Sequence, residues 1–174
     1  FRDVVHGIVS EIEVMNKLQG DSHIVSYADH LIVEKKDGVG WDIIIRMELL
    51  TPLSKYFAKK AYTVQDIVQI GIDICQGLER CQKINLIHRD IKPSNIFVSD
   101  NGDYKLGDFG ISRQIEKTTL GLSRKGTPLY MAPEVYLGRA YNSTVDTYSL
   151  AIVLYRYLNN SRLPFVKAIG RFTQ

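Results

Sequence analysis

Three short segments of the chain carry acidic, amide and basic side chains in an arrangement suited to phosphoryl transfer. Residues 88–95 read HRDIKPSN, residues 108–110 read DFG and residues 132–134 read APE. Phosphoryl transfer depends on positioning and charge neutralisation more than on covalent chemistry. It needs oxygen ligands for Mg²⁺, an acceptor for the proton of the attacking hydroxyl, and a cation near the transferred phosphate.

Residues of these segments can supply each of those groups. Asp108 and Asn95 offer the carboxylate and amide oxygens that Mg²⁺ prefers. Asp90 is the candidate proton acceptor, a role that typically contributes about 10²–10⁴-fold to a rate. Lys92 is the candidate cation. Asp90, Asn95 or Asp108 alone could be an ordinary turn residue. That interpretation is much weaker for the three residues together.

In order and spacing, the three segments resemble the sequence signature of eukaryotic-type protein kinases. The resemblance runs from Asp3 to about Phe165, and the first segment alone would match by chance on the order of once in 10⁸ starts. It implies an α+β, protein-kinase-like fold, with ATP and Mg²⁺ as cofactors. The implied parts are a helix and hairpin of the small lobe, then the catalytic loop, activation loop and central helix of the large lobe.

Two residues favour a Ser/Thr protein kinase within this family. Kinases that resemble the Ser/Thr group carry lysine at the position of Lys92, whereas tyrosine kinases usually do not. In the family, the threonine at the position of Thr127 hydrogen-bonds the catalytic aspartate and lysine, which links the peptide-binding loop to the base. Small-molecule phosphotransferases generally lack this peptide-binding segment. The resemblance therefore implies protein substrates with Ser or Thr acceptors.

Several positions take regulatory roles by resemblance. Arg89 implies a loop that is ordered by phosphorylation, because a phosphate pairs with such an arginine. Arg113 lies where relatives often place a second basic anchor. The hydroxyls available for phosphorylation are those of Thr118, Thr119 and Ser123. They are equally open to interpretation as ordinary loop hydroxyls.

Another group of residues resembles the nucleotide pocket. Met47, Glu48 and Leu50 resemble the gatekeeper and hinge, whose backbone would meet the edge of adenine. Phe97 would form the floor of that pocket, and plain core packing is the alternative for these positions. Glu11 resembles the helix glutamate that pairs with the nucleotide-binding lysine, with a solvated helix glutamate as the alternative.

Structural roles follow for a third group. Asp146 resembles the buried aspartate that holds the catalytic-loop backbone, since a buried carboxylate needs hydrogen-bond donors. His88 and Phe109 resemble members of a stack of side chains that joins the two lobes. Gly110 and Glu134 complete the second and third segments, and the arginine partner of Glu134 would come from a later helix.

Hydrophobic periodicity predicts the elements that must position these residues. In chain order they are a first helix through residue 18, a hairpin of strands 24–33 and 41–49, a helix capped by Thr63 and Asp66, short strands at 86–87, 96–98 and 104–106, a loop over 111–128, and an apolar helix after Thr144. This order is α+β and not a repeating βαβ pattern.

Composition sets wider bounds. The 174 residues have a net charge of +3 with scattered basic residues, so no nucleic-acid partner is expected. Cys75 and Cys81 lack metal-ligand spacing and make no disulfide framework, which favours a reducing, cytoplasmic location. The N-terminus lacks a signal-peptide pattern, and the apolar stretch 145–158 is too short to span a membrane. A membrane anchor outside this segment is an open alternative.

The resemblance is incomplete at both ends. No Gly-rich loop or Val-Ala-x-Lys strand precedes Phe1. The expected organisation is a small-lobe remnant over 1–50, part of the large lobe over 51–165, and an unassigned tail over 166–174. We expect the segment alone to bind ATP weakly, to transfer phosphate poorly, and to self-associate unless it belongs to a larger chain. A non-catalytic kinase-like binding or scaffold module is the alternative.

Overall fold

Helices and short strands alternate along the chain in the α+β order that was predicted. The computed structural model describes residues 12–35, 40–109, 113–114 and 127–164. Its elements are α1 (residues 12–17), β1 (Tyr27–Glu34), β2 (Trp41–Met47), β3 (Thr51–Pro52), α2 (Leu53–Lys59), α3 (Val64–Lys83), β4 (Leu86–Ile87), β5 (Ile96–Val98), β6 (Tyr104–Leu106), β7 (Arg113–Gln114), α4 (Pro133–Tyr136) and α5 (Thr144–Leu158).

The described strands form three small antiparallel sheets. Strands β1 and β2 pair as a hairpin, β3, β5 and β6 form a second sheet, and β4 pairs with β7. The central strand of the second sheet, β5, carries Phe97 and directly follows segment 88–95 in the chain. Strands this short are held by the helices packed against them more than by their own ladders.

Helix α3 is the scaffold for the larger part of the fold. Its start is fixed by the predicted capping box, in which Asp66 N donates to Thr63 Oγ1 (3.2 Å) and Thr63 N donates to Asp66 Oδ2 (2.7 Å). The predicted apolar stripe is buried at Ile67, Ile70, Ile74 and Cys81, and Leu78 is partly buried. This face packs against α5 and β6. Each fully buried Ile contributes roughly 1.5–3 kcal/mol through removal of apolar surface from water.

The predicted hairpin is shorter in the structure. Strand β1 begins at Tyr27 and not at residue 24, because Ile24 forms a parallel bridge to Leu106. Strand β2 ends at Met47 and not at residue 49, because Glu48 N turns to donate to Ser26 O (3.0 Å). Tertiary hydrogen bonds therefore override the β-favouring composition at the open end of the hairpin, where Tyr27 pairs with Met47.

Short elements appear where the sequence predicted a break or a loop. Residues 51–52, predicted to interrupt the chain, form β3 and lead directly into α2. Helix α4 begins with Pro133, whose fixed φ suits a first helical position. Strand β7 pairs with β4 inside the predicted loop 111–128. Elements of two to seven residues are too short to show a hydrophobic period.

Close approach of two backbones requires glycine in the middle of α3. A Cβ on Gly77 would lie 2.9 Å from the carbonyl oxygen of His23. The same carbonyl accepts a hydrogen bond from Leu106 N (2.8 Å), so it cannot move away freely. Gly77 therefore lets the segment before β1 lie directly on α3.

We expect Gly77→Ala to lower the free energy of unfolding by about 1–3 kcal/mol, because overpacking against a fixed carbonyl outweighs the better helix propensity of alanine. Urea unfolding followed by circular dichroism measures the change. Gly71→Ala is the matched control on the same helix, since its Cβ would meet only side-chain methyl groups of Leu154, at 3.2 and 4.0 Å, and no backbone atom. An unfolding free energy for Gly77→Ala equal to that of Gly71→Ala would contradict the proposed packing constraint.

Candidate functional site

The segment 88–95 is attached to helix α5 by one buried carboxylate. Asp146, in the first turn of α5, is 2% exposed. Its Oδ2 accepts a hydrogen bond from His88 N (2.8 Å) and its Oδ1 accepts one from Arg89 N (2.8 Å). Burial raises the pKa of Asp146, although the two N–H donors oppose that shift. The carboxylate thus fixes where the segment begins.

His88 is buried, and the contacts of its two ring nitrogens indicate a neutral imidazole. Its Nε2 lies 3.1 Å from Gly107 O, which can only accept, and Asp90 N donates to its Nδ1 (3.3 Å). The proton therefore resides on Nε2. Burial lowers the pKa of His88 and favours the same neutral state. Its ring lies 4.8 Å from that of Phe109, so the segments 88–95 and 108–110 are packed together.

Both oxygens of the Asp90 carboxylate are held in place. Its Oδ2 accepts from Lys92 Nζ (2.6 Å) and Asn95 Nδ2 (3.0 Å). Its Oδ1 accepts from the backbone N (3.1 Å) and Oγ1 (2.8 Å) of Thr127. Burial alone would raise the pKa of Asp90, but the hydrogen bonds from Lys92 and Thr127 lower it overall. Asp90 is therefore an ionised, oriented acceptor at neutral pH.

Lys92 links the carboxylate to the loop that contains Thr127. Besides Asp90, its Nζ donates to Thr127 Oγ1 (3.1 Å). Four residues from two distant segments, namely Asp90, Lys92, Asn95 and Thr127, thus form one hydrogen-bonded cluster. The sequence predicted these four as the catalytic group.

Asn95 and Asp108 are arranged so that each leaves an oxygen for a hard cation. The Nδ2 of Asn95 faces Asp90, while its Oδ1 accepts only from Ser94 Oγ (3.0 Å) among the described residues. Asp108 is exposed, and its carboxylate makes no hydrogen bond or ion pair with any described residue. Gly107 N donates to Asn95 O (3.0 Å), which keeps the two residues adjacent.

These two oxygens fit Mg²⁺, which binds through one or two protein ligands together with water and phosphate oxygens. A closed protein cage is not needed for that coordination, and the described residues contain no cluster of three His, Cys, Asp or Glu. Asn95 and Asp108 are therefore a chemically suitable pair for a metal that is shared with a nucleotide.

Backbone strain accompanies this geometry. Arg89 and Asp108 have φ values of 67° and 62°, in the left-handed region that side-chain-bearing residues seldom adopt. Each such residue costs on the order of 1–3 kcal/mol and persists only where its surroundings hold it. At Arg89 the holding contact is the Asp146 carboxylate.

A cavity of about 570 Å³ opens between the hairpin and the second sheet, and Asp108 lies at its edge. Its volume falls in the range of small-molecule sites. Its lining includes all five predicted pocket residues that the structure describes, Met47, Glu48, Leu50, Phe97 and Asp108. The cavity is mostly apolar, with carboxylates at Glu48 and Asp108. The mainly apolar lining suits a flat apolar ring.

Comparison with known proteins agrees with this arrangement. The family model described as "Protein kinase domain" matches residues 2–171, which includes part of the segment 166–174. The chain belongs to the protein kinase family. The expected family and the kinase-like α+β fold are thereby confirmed.

Curated relatives are Ser/Thr protein kinases. The serine/threonine-protein kinase shk2 of Schizosaccharomyces pombe is 31% identical over 88% of this chain. The kinases pakH of Dictyostelium discoideum and TIO of Arabidopsis thaliana are 32% and 33% identical over 86% and 87% of it. The chain spans only 26%, 28% and 11% of the length of these three relatives.

Some predicted residues of this kinase chain lie outside the described residues or lack a described contact. Among the described helices, none is long and apolar enough to cross a membrane. Glu134 lies on α4 and makes no ion pair with any described residue. The backbone of Arg113 lies in β7. Outside the described residues are Glu11, Gly110, Thr118, Thr119 and Ser123.

An ion pair at the predicted hinge was not predicted from the sequence. Both carboxylate oxygens of Glu48 lie 2.9 Å from Lys105 Nζ, and Oε1 also accepts from Ser26 N (2.5 Å). Burial alone would raise the pKa of Glu48, but the hydrogen bonds from Lys105 and Ser26 lower it overall. The Glu48 side chain thus ties the end of β2 to β6. No local pattern signals a pair that is 57 residues apart.

We expect Lys105→Met to lower the free energy of unfolding at pH 7 by about 1–3 kcal/mol, because it leaves Glu48 without its charged partner. A lowered pKa means that the stabilisation by Glu48 is present above its ordinary value of 4.5 and is lost as pH falls through the lowered value. The gap between wild type and variant in urea unfolding should therefore narrow towards pH 3.

Lys83→Met is the control, because the Lys83–Glu79 pair is exposed and i,i+4. That substitution should cost at most about 0.5 kcal/mol. A gap for Lys105→Met that is equally small, or independent of pH, would show that the hinge ion pair is not stabilising.

Proposed function

We propose that this chain contains the catalytic residues of a Ser/Thr protein kinase, which transfers the γ-phosphate of ATP to hydroxyls of protein substrates. The observation that carries the proposal is the Asp90 carboxylate, whose two oxygens accept from Lys92, Asn95 and Thr127. A proton acceptor must be oriented in this way and must remain ionised.

Asp90 accepts the proton of the substrate hydroxyl as the hydroxyl oxygen forms its bond to the γ-phosphorus and ADP leaves. Lys92 offsets the negative charge that develops on the transferred phosphoryl group, because its ammonium lies beside the acceptor carboxylate. Thr127 holds the second carboxylate oxygen and so keeps the base aligned with the loop that would carry the peptide.

Asn95 and Asp108 are the residues we assign to Mg²⁺. When bound, Mg²⁺–ATP supplies the phosphoryl group and part of the charge neutralisation. The apolar cavity would take adenine, with the backbone of Met47, Glu48 and Leu50 at its edge and Phe97 as its floor. The tether from Glu48 to Lys105 would hold that edge in place.

The assignment to Ser/Thr acceptors rests on two kinds of support. Lys92 and Thr127 form one cluster with Asp90, and the curated relatives carry the name serine/threonine-protein kinase. A binding or scaffold module would not need an ionised carboxylate between a lysine and a threonine.

We expect Asp90→Asn to lower the rate of phosphate transfer to a Ser-containing protein by about 10²–10⁴-fold, because the amide cannot accept the proton. The assay uses the protein at its full natural length and radiolabelled ATP. Asp42→Asn, at an exposed position on β2, should leave the rate unchanged. A fully active Asp90→Asn variant would rule out the assigned base.

We expect Asp108→Asn to weaken Mg²⁺-dependent binding of a fluorescent ATP analogue by about tenfold or more, and to leave adenosine binding unchanged. Asparagine tolerates the left-handed backbone of Asp108, so this variant tests the charge and not the strain. Fluorescence anisotropy with Mg²⁺ or with a chelator measures both ligands. Equal loss of adenosine binding would indicate damage to the cavity and would contradict the metal assignment.

A further inference from the structure

A half-buried arginine contacts residues 127–130, the loop that hydrogen-bonds Asp90. Arg156, near the end of α5, donates from Nη1 to the hydroxyl oxygen of Tyr130 (2.5 Å). Its Nε is buried without a hydrogen-bond partner among the described residues. No carboxylate of a described residue lies within 4.0 Å of its guanidinium. A guanidinium carries five N–H donors, and within the described residues this one uses a single donor, on a neutral phenol.

Such a group favours an anion. Arginine remains charged at all accessible pH values, and its planar donors match the oxygens of a carboxylate or phosphate in pairs. A buried N–H without an acceptor is unfavourable, so an incoming anionic oxygen gains more here than at a fully solvated arginine. None of the described residues around Arg156 supplies such an anionic oxygen.

Hydrogen bonds connect the cation to the turn that contacts Asp90. Thr127 contacts Asp90, and Tyr130 N donates to Thr127 O (3.0 Å), which makes residues 127–130 a turn. Ser149 Oγ donates to Tyr130 O (2.8 Å) and fixes the end of that turn on α5. A turn keeps its end Cα atoms within about 7 Å. An extended peptide advances about 3.3 Å per residue, so a substrate side chain roughly two to four residues from the acceptor covers a span of the same order.

We propose that Arg156 is a specificity-determining residue that selects substrates with an acidic side chain roughly two to four residues from the phosphorylated Ser or Thr. The inference rests on the proposed kinase function and names the substrate class of the same site. The guanidinium pairs with the substrate carboxylate. A phosphorylated residue at that substrate position presents the same oxygen chemistry and is bound in the same way.

The test uses a set of peptides with one Ser acceptor in an alanine background, and with Asp, Lys or Ala placed in turn at each flanking position. We measure kcat/KM with the full-length protein, and the affinity for the same peptides by fluorescence anisotropy. Wild type should prefer Asp over Ala by about tenfold at one position. Arg156→Gln should bring that ratio close to one, and Arg156→Glu should shift the preference to Lys.

Two further variants separate recognition from structure. Arg162→Gln, an exposed arginine just beyond α5, should keep the wild-type ratio. Tyr130→Phe removes the hydroxyl that Arg156 contacts but keeps the cation, so it should keep the preference for Asp. If Arg156 only supported Tyr130, both Tyr130→Phe and Arg156→Gln would leave the Asp-to-Ala ratio unchanged or reduce it together, and the proposal would fail.

The two readouts distinguish the proposal from the function on which it rests. Phosphorylation of peptides without a preference for Asp overturns the role of Arg156 and leaves the kinase function intact. If no peptide is phosphorylated, the proposed function fails, and the binding data decide the role of Arg156. Tighter binding of Asp peptides that is lost in Arg156→Gln then supports it, and equal binding of all peptides overturns it.

Discussion

The arrangement of the site depends on one buried carboxylate with two backbone donors. Asp146 accepts from consecutive N–H groups of residues 88–89, and a buried carboxylate is tolerated only with such donors. Because both oxygens are used, the segment is fixed in position and in direction. The left-handed backbone at Arg89 is held by this contact, since an unconstrained residue would relax out of it.

Further contacts connect this buried carboxylate to the residues of the candidate site. A neutral His88 joins the start of the segment to Gly107, and the adjacent Asp108 is brought to the edge of the cavity. On the other side, Asp90 is held between Lys92 and Thr127. The acidic groups therefore have different surroundings: Asp90 accepts hydrogen bonds at both oxygens, Asp146 is buried, and Asp108 is exposed. Environment, more than residue type, separates their roles.

Much of this site could be predicted because its residues lie in short contiguous segments. The spacing of Asp90, Lys92 and Asn95 is recognisable in the sequence alone. Helix α3 could likewise be predicted from its capping box and its apolar stripe. The Glu48–Lys105 and Arg156–Tyr130 contacts were not, because each joins single residues far apart in the chain. Helices α2 and α4 were missed because they are too short to display a period.

The attachment to α5 also has a consequence for folding. The hydrogen bonds that residues 88–89 donate to Asp146 join residues 58 and 57 positions apart. Contacts of this range are slow to form, because a long loop must close before they contribute any stabilisation. A nascent chain that ends before Thr144 contains Asp90, Asn95 and Asp108 but lacks the helix that orients them. Segment 88–95 therefore takes its described position only when α5 has docked.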